Sequence, residues 1–544
     1  MSRREELLAR LRSDAFDLLI VGGGIVGAGI ARDAAMRGLN VALIEQGDFA
    51  GGASSKTSKL IHGGLRYLEH GRLGLVFESL RERRILRGLA PDLVRPLSLM
   101  IPVYRGNRRS TWKIRAGLAL YDLLARDREL RRHRMYSGRA ALAHEPALNA
   151  EGLRGAGSYV DCQMDDARLC LANALQAVSF GAACLNYVRL RAFNKRPGRL
   201  CGATVEDART GRQFEIRAAL VINATGPWSD AVRRLSDPQA GSRLAPTKGI
   251  HLVIPRLTTE ALFFEARHDR RMIFLLPWGD CSIVGTTETP VAEPLERLAA
   301  SADEVDYLVS EVNRIVPGAR LDHHGILATY AGARPLLAFR GSATGASREH
   351  RIEIDRFGLI SVMGGKYTTY RVMAKQAVDV ACERLGRSAG CLTHDVGLLE
   401  PASPVALNRW EAVTRGIAPE LLARLLARHG TDAFRLLSLI EADRTLARPV
   451  CPHHDETYAE LLFAVDGEFA CTISDILTRR TRIAFSACQG LDMLSSLTEL
   501  LERSGRLPQQ QLTEQIAEYR QALRAGLAFH IEEEAQEQEA VRHG

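Results

Sequence analysis

The sequence predicts an α/β fold with a parallel sheet first, an antiparallel sheet added to it, and an α-helical domain at the end. Three observations predict this. The apolar runs Asp17-Leu18-Leu19-Ile20-Val21 and Val41-Ala42-Leu43-Ile44 flank a helical stretch, the order of a parallel βαβ unit. Strand-like runs crowd between Pro246 and Glu288 with short spacers, which suits antiparallel pairing. After the linker Pro401-Ala402-Ser403-Pro404 glycines thin out and helical patterns follow one another.

At 544 residues the chain is too long for one ordinary core, so two or three domains are expected. With 46% hydrophobic and 25% charged residues it is globular throughout, without a low-complexity tract. Met1 to Asp14 is charged and has no signal-peptide core, and the longest apolar run, Leu18 to Ala31, is too short to span a bilayer. A cytoplasmic protein, neither exported nor transmembrane, is therefore expected. Ten cysteines without a C-x-x-C pair fit reduced thiols better than disulfides. The net charge of +8 suits an anionic small molecule, an anionic membrane surface or nucleic acid, or else a plain solvated face. Basic residues crowd between Arg81 and Arg139, whereas Glu532 to Glu539 is acidic.

Between the first two strands lies Gly22-Gly23-Gly24-Ile25-Val26-Gly27. Gly22 permits the sharp turn, Gly24 lets backbone approach a pyrophosphate, and Gly27 lets helix and strand pack closely. The helix start offers free N–H groups and a favourable dipole to phosphate. Glu45 closes the second strand, placed to accept hydrogen bonds from a ribose diol. These residues specify a dinucleotide site, and leave NAD or FAD open.

Gly51 to Lys59 supplies small, hydroxyl-bearing and basic residues, among them Ser54, Ser55, Thr57 and Ser58, suited to holding phosphate or ribose. In Ile61-His62-Gly63-Gly64-Leu65-Arg66-Tyr67 two glycines precede a cation, as for close approach to a flat ligand, or as a plain turn. A basic helix is expected from near Ser79 to Ala90, stopped by Pro91. A second runs from Trp112 to Leu130, with Trp112, Ile114, Leu118, Tyr121 and Leu124 near helical spacing and Lys113, Arg115, Arg126 and Arg128 around them. It either lies on anionic lipid or packs its stripe on the protein's own core.

The buried-looking strand Ala219 to Asn223 runs into Ala224-Thr225-Gly226-Pro227-Trp228, where Gly226 leaves room for a cofactor. His251 stands in an apolar strand, as a core residue or as a base. Arg334 and Arg348 fall on loops near strands. Gly364-Gly365-Lys366-Tyr367-Thr368-Thr369 joins a strand to a helix start able to hold the anionic edge of a flavin ring. Three distant segments (Gly22 to Gly27, Asn223 to Gly226, Gly364 to Thr369) converging on one ligand favour FAD over NAD. Cys451-Pro452-His453-His454-Asp455 looks like a metal cluster, but no second Cys/His pair stands at ligand spacing, so no metal is expected.

Together these motifs resemble the FAD-dependent, aerobic respiratory glycerol-3-phosphate dehydrogenases, from about Phe16 into the C-terminal helical domain. Ser58 to Glu69 is the most specific part. Leu120 to Leu124, Asn223 to Trp228, Val284-Gly285-Thr286-Thr287, Gly332 to Leu336 and Gly364 to Arg371 support it. The resemblance implies a Rossmann-like FAD-binding domain (1–75, 150–245 and 350–395), an antiparallel-sheet substrate or cap domain (76–149 and 246–349) and a helical domain (400–544). It also implies oxidation of sn-glycerol 3-phosphate to dihydroxyacetone phosphate, with electrons leaving reduced FAD for a membrane quinone.

On that reading Arg66, Arg348 and Lys366, with Tyr67, hold the phosphate, because fixed cations suit a dianion. His251 is the base and Arg334 orients substrate or steadies the alkoxide. FAD falls to Gly22, Gly24, Gly27, Glu45, Ser54, Ser55, Thr57, Ser58, His62, Gly63, Gly64, Ala224, Gly226, Gly364, Gly365, Lys366 and Thr368. Binding to the inner face of the cytoplasmic membrane would be peripheral and salt-sensitive, and a homodimer is compatible with the chain. Rival readings are an oxygen-using glycerol-3-phosphate or amine oxidase, an FAD-bearing RNA-binding or RNA-modifying protein, and a scaffold retaining FAD for structure. No nucleic-acid partner is expected, since an RNA-binding module is lacking and aromatics reach only 6%.

Overall fold

Two mixed sheets share the first 400 residues of the chain. They are seen in a computed structural model that describes residues 3–126, 130–338, 349–400 and 417–529. Arg128, Arg348, the Pro401 to Pro404 linker and the acidic Glu532 to Glu539 lie outside the described residues.

In the first sheet the strands His350–Ile354, Ile360–Gly364, Gln213–Asn223, Ala15–Val21, Val41–Ile44 and Ala183–Leu185 lie side by side in that order. Leu18 to Ile20 are fully buried, as befits a strand covered on both faces. Parallel pairing aligns Val21 with Ile44 on one side and Asn223 on the other, and Asn223 with Ser361. The three glycine-bearing segments thus leave the sheet at one edge, beyond the carboxyl ends of its strands. Helix Ile25–Met36 is buried along almost its whole length, which its small residues allow. A Cβ on Gly29 would stand 2.8 Å from the ring of Tyr370, so glycine here sets the helix spacing.

The second sheet runs Thr289–Pro290, Thr247–Pro255, Cys281–Gly285, Met272–Trp278, Ala261–Glu265, Val94–Tyr104, Leu153–Met164 and Leu60–Ile61. Ala328–Arg334 pairs along the other side of Thr247–Pro255. Leu153–Met164 and Leu60–Ile61 were expected in the dinucleotide domain but hydrogen-bond into this sheet, because Leu153–Met164 pairs along its length with Val94–Tyr104. The basic helix expected from Ser79 begins at Leu73, since Val76 already packs in the same buried cluster as Leu80. Helix Thr111–Ala125 buries Ile114, Leu118 and Tyr121, so that part of the stripe serves the core, whereas Trp112 is 67% exposed.

The C-terminal domain has its own core around Leu436, Phe463 and Leu497. It is less purely helical than expected, with a hairpin of Pro449–Cys451 and His454–Thr457. Buried charge docks it: Asp48 pairs with Arg479 and Arg480, and Arg168 with Glu468.

Candidate active site

At the carboxyl edge of the first sheet Gly22 adopts φ +111°, and a Cβ there would meet the Ala224 carbonyl oxygen at 2.6 Å. A Cβ on Gly27 would stand 1.8 Å from the Gly22 oxygen. Gly24 caps the helix with extended backbone and without a side-chain hydrogen bond. Gly226, at φ +55°, has no atom within 4 Å of the Cβ direction, so that side of the backbone is open. Glu45 accepts from Gly23 N at 2.7 Å and Gly47 N at 2.9 Å, which pins the carboxylate at the turn and leaves lone pairs for a diol. Burial raises its pKa, and the two N–H bonds oppose that rise.

The hydroxyl loop divides its work. Ser54 Oγ accepts from Ile25 N at 2.9 Å and keeps its own proton to donate. Thr57 Oγ1 donates to Asp166 at 2.8 Å and accepts from Lys59 N, so its hydroxyl is used within the protein. Ser55 offers its carbonyl to Lys59 Nζ, itself in a buried pair with Asp166. Ser58 Oγ lies 2.8 Å from His251 Nε2 and couples the loop to the second sheet.

The His62-Gly63-Gly64 turn is held from below. Gly63 N donates to the Tyr121 hydroxyl at 2.8 Å, which donates to Asp161, which pairs with buried Arg83. His62 N donates to Thr368 Oγ1 at 3.3 Å, and this joins the turn to the Gly364 to Thr368 segment. Gly64 takes φ +77° with the Tyr67 ring against it. The diglycine Gly364-Gly365 also has positive φ. Added Cβ atoms would strike the Glu349 oxygen and Met373 sulfur, so this pair serves packing as well as approach. Lys366 Nζ sits 3.9 Å from the Tyr67 ring centroid and donates to Ser79, while Arg66 is half-buried beside Tyr67.

His251 is 3% exposed, lies opposite Gly285 and Tyr330 in the sheet, and stacks on Tyr330 with ring centroids 4.8 Å apart. Its Nδ1 has no hydrogen-bond partner among the described residues. Arg334 donates to Thr286 Oγ1 at 2.9 Å and to the Thr287 carbonyl, one and two residues beyond Gly285. His62 stands 6.5 Å from Phe274, whose strand partner is Gly285, so a chain of contacts runs from Thr368 to His251. A cavity of about 290 Å³ lies beside Lys366, but Glu78 and Glu349 line it and neither His251 nor Arg334 does, so a phosphate is disfavoured there.

Residues 17–371 match the FAD dependent oxidoreductase family, and 363–511 match the C-terminal domain of alpha-glycerophosphate oxidase. The chain is 38% identical to glycerol-3-phosphate dehydrogenase of Synechocystis sp., covering 94% of this chain and 96% of that one. It is 34% identical to aerobic glycerol-3-phosphate dehydrogenase of Bacillus subtilis, with 88% and 89% covered. The crystal structure of glycerol-3-phosphate dehydrogenase from Bacillus halodurans complexed with FAD superposes with a TM-score of 0.79 at 27% identity, covering 97% and 98%. The chain belongs to the FAD-dependent glycerol-3-phosphate dehydrogenases.

The residues of this dehydrogenase fit the flavin cofactor of its family, because helix Ile25–Met36 starts at Gly24 without a side-chain cap and Gly22 packs that turn tightly against Ala224, which leaves the helix N–H groups for a pyrophosphate. Sequence reasoning missed several residues that shape the site. Lys59, Asp166 and Asp161 sit in or beside quoted motifs, yet their pairing is long-range. Tyr330, and Gly285 with Gly249, were missed because they matter through strand register. A Cβ on Gly285 would stand 2.4 Å from His251 Cδ2, and one on Gly249 2.4 Å from an Arg334 nitrogen. Burial lowers the His251 pKa well below its ordinary value, and Arg334 and Lys59 lower it further.

Proposed function

We propose that the protein oxidises sn-glycerol 3-phosphate to dihydroxyacetone phosphate and passes the electrons to a membrane quinone. The observation that carries this reading is a buried, neutral imidazole whose pKa is lowered by burial and by the Arg334 guanidinium. His251, oriented by Ser58 at Nε2, accepts the substrate hydroxyl proton, and Arg334 steadies the developing alkoxide. FAD, when bound, supplies the hydride acceptor. Gly24 and Gly226 give its pyrophosphate close backbone, Gly22, Gly27 and Ala224 pack the turn that presents them, Glu45 gives its ribose a diol acceptor, and Gly364 to Thr368 its ring a helix start. Arg66, Lys366 and Arg348, with Tyr67, are assigned the phosphoester from their sequence positions, and Lys366 Nζ faces the Tyr67 ring.

Anaerobic bleaching of the flavin spectrum by glycerol 3-phosphate, with glycerol and lactate inert, is the expected result. Bleaching by all three, or by none, rejects the substrate assignment.

The acceptor reading rests on the outer face of helix Thr111–Ala125. Trp112, Leu120 and Leu123 are exposed there at helical spacing, among the exposed cations Lys113, Arg115 and Arg126. Arg126 reaches over the exposed ring of Phe77 on the neighbouring helix. Such a face suits peripheral seating on anionic lipid of the inner membrane surface, by buried apolar tips and summed weak attraction. No helix among the described residues is long and apolar enough to cross a membrane.

An oxidase is the second reading, favoured by the name of the C-terminal family match. Peroxide formed in step with substrate, without quinone reduction, would establish it.

A further inference from the structure

The Cys451 to Asp455 run has no partner pair nearby in sequence, but the fold supplies one ligand from far along the chain. Cys488 Sγ lies 3.5 Å from His454 Nε2, across 34 residues. We propose that Cys451, His454 and Cys488 form a binding site for a thiophilic divalent cation of the zinc class, outside the active site. The three ligand atoms lie within 4.8 Å of one another. Zn–N bonds of about 2.0 Å and Zn–S bonds of about 2.3 Å give a tetrahedron with an N–S edge of about 3.5 Å and an S–S edge of about 3.8 Å. The observed N–S distance equals that edge, so small side-chain rotations close the set.

Two thiolates and an imidazole select zinc over magnesium or calcium, which prefer oxygen. His454 Nδ1 lies 3.8 Å from Glu456 Oε2, beyond hydrogen-bond reach, so the carboxylate adds a nearby negative charge that favours a cation on the imidazole. Ser486 Oγ bonds Nε2 at 2.9 Å and also donates to the Ile483 carbonyl at 2.7 Å. Metal binding exchanges the first bond for coordination and leaves the second. Both thiols give their protons to solvent, and nothing is oxidised or reduced. All three residues are half-buried, and a bound cation would take a water as its fourth ligand.

The site pins the hairpin to a segment that reaches the active-site sheet. Gln489 donates to the Leu327 carbonyl at 2.8 Å, and Phe485 lies edge-on to Tyr330, the ring stacked on His251. The clip therefore stiffens the support behind that ring.

The test uses the full FAD-loaded chain, reduced, freed of chelator, and titrated with Zn²⁺ against a chromophoric competitor and separately with Co²⁺. One Zn²⁺ per chain is expected, with Co²⁺ giving tetrahedral thiolate ligand-field bands to the red of the flavin absorption. Cys451→Ser, Cys488→Ser and His454→Gln should each lose the bands and weaken Zn²⁺ binding by about a hundredfold or more, whereas Cys201→Ser changes neither. Flavin content and circular dichroism report that each variant is folded. Absence of stoichiometric binding, binding that survives both cysteine changes, an octahedral Co²⁺ spectrum, or a Cys451–Cys488 disulfide in the untreated protein overturns the site.

Discussion

Gly285 and His251 face each other across two strands, and the smaller residue decides where the larger one stands. Gly285→Ala puts a methyl group into the imidazole, which must swing from Ser58. The expected outcome is a fall in kcat of about a hundredfold with FAD retained, since displacement of about 1 Å at a reacting group has that effect. Stopped-flow flavin reduction measures it, and an unchanged rate would remove His251 from the chemistry. His251→Asn should lower flavin reduction by about 10²- to 10⁴-fold with substrate binding kept. Because burial, Arg334 and Lys59 depress the His251 pKa, the imidazole is already neutral at pH 6.5. Activity that needs it unprotonated is therefore kept as pH falls through 6.5 and lost only below. A His251-dependent limb at or above pH 6.5 would contradict the assignment.

At the scale of elements, the His62-Gly63-Gly64 turn is shaped by a polar ladder reaching into the core. Gly63 N, the Tyr121 hydroxyl, Asp161 and Arg83 are all buried and joined in series. Tyr121→Phe leaves the Gly63 N–H with only a 3.4 Å contact to Asp161, and the carboxylate one donor short. The expected cost is about 1–3 kcal/mol in stability, with faster loss of FAD. Thermal melts and flavin release read the two effects, and a neutral result would mean that the turn is held otherwise. The helix of Tyr121 also shows what amphipathic spacing hides. Ile114, Leu118 and Tyr121 face the core as an ordinary stripe, while Trp112, Leu120 and Leu123 form a second apolar line toward solvent. The double change Trp112→Ser with Leu123→Ser should abolish co-sedimentation with anionic vesicles and spare dye-linked turnover. Binding of the unaltered protein that ignores high salt would count against the lipid reading.

Across the whole molecule, buried ion pairs fasten the C-terminal domain to the dinucleotide-binding sheet. Burial alone would raise the Asp48 and Glu468 pKa values. Arg480 with Arg479, and Arg168 with His429, outweigh it and hold both carboxylates below their ordinary range. Such groups add stability that is fully present above the unfolded carboxylate pKa of about 4 and lost as pH falls below it toward the folded values. The domain should therefore loosen below about pH 4. Arg480→Met strands Asp48 with one guanidinium and should cost about 3–5 kcal/mol, read by chemical denaturation.

The glycine turn, the terminal Glu45, the hydroxyl loop and the second diglycine stood plainly in the chain, because backbone approach to a pyrophosphate demands those residue types at fixed spacing. So did the strand content and the division into sheets and helices, since each follows from local periodicity. What folding alone decided was adjacency. Leu153–Met164 joined the second sheet by pairing with a strand some sixty residues earlier, and Gly285 met His251 through register. Asp161 met Arg83, and Cys488 met Cys451 and His454, in the same way. Short-range chemistry is written in neighbouring letters, whereas contacts between distant segments depend on how strands and helices stack, which no local pattern encodes.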